Sequence, residues 1–163
     1  MADSVRPQLG NGELNPTPIW TSRAPGTYLL LLQLVQPASV DVGRLGAIAF
    51  RPGWYIYVGS ALGGLGQRLS RHARSIKRHH WHIDALRDVT TLVAVAARPG
   101  RERLECAIAD QLSARPGACR PVRRFGASDC RCAGHLIRFD RRTDLKLDDD
   151  WSVTALVSHG SPM

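Results

Sequence analysis

The chain is 163 residues long, 44% hydrophobic, and carries a formal net charge of +8 with a sequence pI of about 10.2. That length fits one domain with a core of its own, and no stretch reaches the roughly 18–20 apolar residues that a membrane helix needs. The polar, proline-containing start up to Ala24 has no signal-peptide core, so a cytoplasmic protein is expected, whose four cysteines are thiols or ligands rather than a disulfide framework.

Residues 1–24 lack periodicity and read as a disordered leader, and residues 141–163, with Asp148-Asp149-Asp150, read as a flexible tail. Between them, residues 25–140 form the expected domain. Thr27 to Val35 is one apolar run, a candidate buried strand. Val40 to Phe50 is a loop or second short strand with a turn at Gly43-Arg44-Leu45-Gly46. Pro52-Gly53 turns the chain into a strand of aromatic and β-branched residues, Trp54 to Val58. Leu65 to Ile76 is a helix with Leu65, Leu69 and Ala73 inward. Trp81 to Arg87 is a second, short helix, and Thr90 to Ala96 is a strand. Glu102 to Ala114 is an amphipathic helix stopped by Arg115-Pro116-Gly117. His135 to Phe139 is a last strand. This mixed order predicts an α+β sheet with helices rather than a regular parallel repeat.

The positive charge is concentrated in the middle. Residues 25–140 hold 17 Lys/Arg against 8 Asp/Glu, and Val42 to Ile83 contains no acid. Nearly all of it is arginine, whose planar fork suits phosphate, so a polyanion is the natural partner. Two tyrosine strings flank this region, Gly26-Thr27-Tyr28 and Tyr57-Val58-Gly59. Longer strings accompany them: Gly43-Arg44-Leu45-Gly46, Tyr57-Val58-Gly59-Ser60-Ala61, His80-Trp81-His82-Ile83-Asp84, and Phe125-Gly126-Ala127-Ser128-Asp129-Cys130-Arg131-Cys132.

Together, and in this order, these strings resemble the GIY-YIG nuclease family, closest to its Uri branch. Both tyrosine motifs depart from the family name only at the middle residue. The resemblance implies a small, mainly antiparallel sheet flanked by helices, and an endonuclease acting on DNA phosphodiesters. It also implies one divalent cation, Mg2+ or Mn2+, held mainly by a single glutamate. Residue by residue, it implies Tyr28 and Tyr57 as the motif tyrosines, Arg68 as the helix arginine with His72 one turn on, and Glu105 as both catalytic and metal-holding.

The chemistry of each placement can be weighed beside a plainer role. Arg68 and His72, at i and i+4, share a helix face; the plain alternative is a solvated basic helix. Glu105 lies in an apolar stretch, where a carboxylate needs a cation or an arginine partner; Glu102 competes, but sits where acids favour a helix start. Gly59 and Ser60, the basic Arg71, Arg74, Lys77 and Arg78, and His80 and His82 are the candidate DNA contacts. Gly63-Gly64-Leu65-Gly66 is either a phosphate cradle or a flexible turn. Cys130-x-Cys132-x2-His135, with Cys106 or Asp129, could supply four zinc ligands. Its one-residue cysteine spacing instead favours a buried turn that brings Ser128 and Asp129 to the cleft. The rival to a nuclease is a nucleic-acid-binding module that does not cut. Duplex, branched and damaged DNA all remain open as substrates.

Overall fold

A computed structural model describes residues 18–75, 77–142 and 147–156. The first 17 residues of the expected leader, Ile76 and the last residues of the tail lie outside them. The strands are β1 (Gly26–Leu34), β2 (Ala38–Asp41), β3 (Ala47–Phe50), β4 (Gly53–Ala61), β5 (Thr91–Pro99), β6 (Ala118–Cys119), β7 (Leu136–Phe139) and β8 (Ser152–Ala155); the helices are α1 (Leu65–Ala73), α2 (His82–Arg87) and α3 (Glu105–Ser113).

The apolar run after Gly26 becomes β1, in the interior of a six-stranded sheet of order β6-β7-β4-β1-β5-β8. Every pairing in it is antiparallel. β1 is apolar from Tyr28 to Leu32 because both its faces are covered there. Tyr28, Leu30, Leu32 and Leu34 pack with Leu65 and Leu69 of α1 and Ile83 and Leu86 of α2. Leu29 and Leu31 pack with Ile56 and Val58 of β4 and with Ala109 and Leu112 of α3. β2 and β3 form a separate hairpin, closed by left-handed Gly43 (φ 46) and Gly46 (φ 76), conformations that glycine adopts without strain. The protein is thus an α+β domain, as its element order predicts. No helix among the described residues is long and apolar enough to cross a membrane.

Four features differ from the sequence expectation. α1 ends at Ala73, because Arg74 turns extended (φ −69, ψ 136). α3 begins at Glu105, not Glu102, so Glu105 is the acid that lies in the first turn and benefits from the helix dipole. Residues 18–24 are not a free leader: Ile19 is buried in the core, and Ser22 and Ala24 accept hydrogen bonds from the amides of Gly66 (2.8 Å) and Leu65 (2.9 Å).

The fourth correction concerns the tail. β8 extends the sheet, pairing Ser152 to Ala155 with Ala97 to Ala94 of β5, while Leu147 and Trp151 pack against the α3-side core. Truncation after residue 140 exposes the outer edge of β5 and part of that core. It is expected to cost ~2 kcal/mol, or about 4–8 °C in melting temperature for a chain of this size. Thermal unfolding of the truncated chain measures it; an unchanged transition would mean that β8 contributes nothing.

Candidate active site

Antiparallel pairing sets Tyr28 of β1 directly opposite Gly59 of β4. A Cβ at Gly59 would collide with the Tyr28 phenol. The glycine expected to touch nucleic acid is therefore where the sheet makes room for a tyrosine. Tyr57 lies on the same face, its ring 6.3 Å from that of Tyr28. Tyr55, two residues back, is fully buried and donates its hydroxyl to the Arg51 carbonyl, so it is a core residue.

His72 differs from its expected place. It is fully buried beneath the tyrosines, with Nε2 2.8 Å from the Tyr28 hydroxyl and Nδ1 without a partner. It reaches the cleft only through Tyr28. Burial pushes the Tyr28 hydroxyl up to about 12, against the opposing Arg68 charge, and raises Tyr57 well above its ordinary value. Arg68 pulls both phenols the other way, but desolvation outweighs it.

The same burial pulls His72 down to about 3 from an ordinary 6.5, with Asp84 opposing. Between those values the unfolded chain binds a proton that the folded chain does not. Stability present above pH 6.5 is therefore lost as pH falls through that window. The urea midpoint is expected to drop between pH 7 and pH 5, and His72→Gln, which stays neutral, to flatten the slope. A slope equal in both proteins would remove His72 as its source.

The tyrosines open onto a cleft of about 250 Å3, also lined by Ser60, Arg68, Glu105 and Asp129. Ser60 joins its two charged walls. Its carbonyl accepts a hydrogen bond from Arg68 Nη1 (2.9 Å), and its hydroxyl donates to Glu105 Oε2 (2.8 Å). Trp81, which sequence reasoning left without a role, holds the Arg68 guanidinium 4.2 Å from its ring centroid.

The remaining basic residues divide. Arg71 makes a two-pronged ion pair with buried Asp84, both contacts at 2.8 Å. Asp84 also accepts from the amides of His80 and Trp81. Burial alone would raise the Asp84 carboxyl, but these donors hold it well below the usual carboxylate range. Its oxygens are thus engaged, and His80-x-His82-x-Asp84 is not a metal site. Lys77 caps the end of α1, its Nζ 3.0 Å from the Arg74 carbonyl. His82 Nδ1 accepts from the Gly126 amide at 3.0 Å. Arg74 and Arg78 are exposed and line a groove of about 720 Å3, which shares Arg68 and Trp81 with the cleft. His80 is exposed at the cleft wall. The glycine turn before α1 is no phosphate cradle, since Ser22 and Ala24 already occupy its first amides.

The loop between β6 and β7 brings Ser128 and Asp129 to the cleft, as expected of that turn. Behind it, donor atoms of Cys106, Cys132 and His135 lie within 4.8 Å of one another. Cys119, the fourth cysteine, is exposed.

Comparison with known families matches residues 27–155 to one described as "Domain of unknown function DUF123". The chain belongs to the DUF123 family. The matched stretch of this DUF123 domain takes in both tyrosines, the arginine and glutamate of the cleft, the cysteine loop and β8. No curated protein and no solved structure matches the domain significantly.

Proposed function

We propose that this DUF123 domain is a metal-dependent DNA endonuclease of the GIY-YIG type, closest to the Uri branch. The observation that carries the proposal is the convergence of Tyr28, Tyr57, Arg68 and Glu105 on one cleft, continuous with an arginine-lined groove. Such a groove tracks a phosphate backbone by charge, and the cleft sets a cation and a carboxylate where a phosphodiester would lie.

The donor set fits a hard divalent cation. Glu105 offers carboxylate oxygen at a half-buried position, and Asp129 is the cleft's second carboxylate. One or two carboxylates completed by water and substrate phosphate suit Mg2+ or Mn2+. When bound, the ion supplies positive charge for the phosphate and the leaving oxygen. Arg68, steadied by Trp81 and the Ser60 carbonyl, stabilises the charge that develops on the phosphate. Both tyrosines act as neutral hydroxyls, because burial keeps them protonated. Tyr57 orients the attacking water. Tyr28 accepts a hydrogen bond from that water while its own hydroxyl donates to His72 Nε2, which is neutral at working pH.

Cleavage of duplex, branched and single-stranded DNA with Mg2+ and Mn2+ tests the proposal. Salt-sensitive binding without cleavage of any of them would leave the binding module as the function. Tyr28→Phe and Tyr57→Phe are each expected to lose cleavage, yet to differ in stability. Tyr28→Phe strands the second nitrogen of His72 and costs roughly 1–3 kcal/mol. Tyr57→Phe, at the cleft wall, costs less. Cleavage assays and urea unfolding read both, and parent-rate cutting by both variants would make the tyrosines packing residues.

A further inference from the structure

We propose that Cys106, Cys130, Cys132 and His135 form a zinc site that clamps the first turn of α3 to the loop preceding β7. The site is separate from the Glu105 cation and does not depend on the nuclease reading. Cys-x-Cys spacing alone argues against a zinc knuckle. The fold supplies what local spacing cannot: Cys106, from a helix far earlier in the chain, meets the loop cysteines.

The geometry is that of ligands awaiting one ion. His135 Nε2 lies 3.4 Å from Cys106 Sγ and 3.5 Å from Cys130 Sγ. Two ligands of a tetrahedral zinc, with bonds near 2.3 Å to sulfur and 2.0–2.1 Å to nitrogen, are separated by about 3.5 Å. Cys132 Sγ lies within 4.8 Å of the donors of both Cys106 and His135. A single imidazole nitrogen has one lone pair or one proton, so it cannot satisfy two thiols at once. A metal among Cys106, Cys132 and His135 satisfies that nitrogen, and Cys130, outside their mutual 4.8 Å but 3.5 Å from His135 Nε2, completes the set by a small shift of its side chain. Three sulfurs with one imidazole select zinc over Mg2+ or Mn2+.

The surroundings are ordered for the task. The ends of the loop are stapled by Arg124 N to Ala133 O and His135 N to Phe125 O, both 2.8 Å. Arg124 Nη1 holds the Cys132 carbonyl at 2.8 Å. The His135 carbonyl also accepts from the Val58 amide at 3.0 Å, which fixes the backbone that carries the imidazole. On binding, the three thiols release their protons to solvent as thiolates and the zinc remains Zn2+, so no oxidant or reductant is involved. Because Cys106 follows Glu105, and the loop carries Ser128 and Asp129, the clamp would fix one wall of the cleft.

The full chain, purified without chelator or polyhistidine tag, is expected to carry about one zinc per molecule by elemental analysis. Co2+ put in its place should show the intense near-ultraviolet absorption of cobalt thiolates. Cys130→Ser and Cys132→Ser are expected to reduce metal content about fivefold or more, whereas Cys119→Ser should match the parent. Chelation should lower the melting temperature of the parent and leave Cys132→Ser unmoved. Should neither loop variant fold, the Co2+ spectrum of the parent decides. Equal zinc in parent and loop variants, no thiolate band with Co2+, or a disulfide among these cysteines under reducing conditions would each overturn the site. None of these readouts involves DNA cleavage, so failure of the nuclease proposal would be seen separately.

Discussion

Glu105→Gln is expected to abolish divalent-dependent cleavage, by about a thousandfold or more, while DNA binding survives. The substitution keeps length and shape. Its amide oxygen can still accept the Ser60 hydroxyl that now lies 2.8 Å from Oε2, so the fold around the head of α3 should stand. What is lost is the negative charge that holds the cation. Charge stabilisation of that kind supplies several kcal/mol, and each 1.36 kcal/mol is tenfold in rate. Rates with Mg2+ and Mn2+, measured beside binding to the same DNA, check the prediction. Full activity in the variant would remove Glu105 from the site.

Arg68→Ala should cost turnover on the order of a hundredfold or more, the usual loss for a donor aimed at developing charge. Arg74→Ala and Arg78→Ala should instead weaken binding and reduce its salt dependence by about one phosphate contact each. The contrast follows from position. Arg68 lies in the cleft between the Trp81 ring and the Ser60 carbonyl, while Arg74 and Arg78 stand exposed along the groove. Single-turnover rates at saturating enzyme separate the two effects. Equal losses from all three, recovered at low salt, would favour the binding module.

The central strands, and the tyrosines they carry, were legible because their signal is local. An unbroken apolar run such as Leu29 to Leu32 admits few readings, and parity sets Tyr55 and Tyr57 on one face, although β4 runs on past Val58 to Ala61. Helix α1 was legible for the same reason, through Leu65 and Leu69. The division of labour among its cations was not. Arg68, Arg71, Arg74 and Lys77 look alike in sequence. Only tertiary packing gives Arg71 to Asp84 and turns Lys77 back on its own helix. β8 escaped notice because four alternating residues at an edge carry little pattern. The raised proton affinities of Tyr28 and Tyr57 are not legible in the sequence, because depth of burial cannot be read from it. Sequence offered Cys106 and Asp129 equally as partners of Cys130 and Cys132, and only the meeting of helix and loop in three dimensions selects Cys106.

Tyr28 sits where the backbone has least freedom. Its strand is held along both edges, Tyr28 lying between Gly59 and Ala97. Such a residue belongs to the last part of a protein to open, so fluctuations large enough to move it amount to global unfolding. Arg74, Arg78 and His80 lie outside regular structure, exposed on the link between two helices, where a changed side chain disturbs no strand pairing. Under the proposed function, the groups that would follow a DNA backbone and those that would react with it thus sit in different parts of the chain, and each can change by mutation without the other.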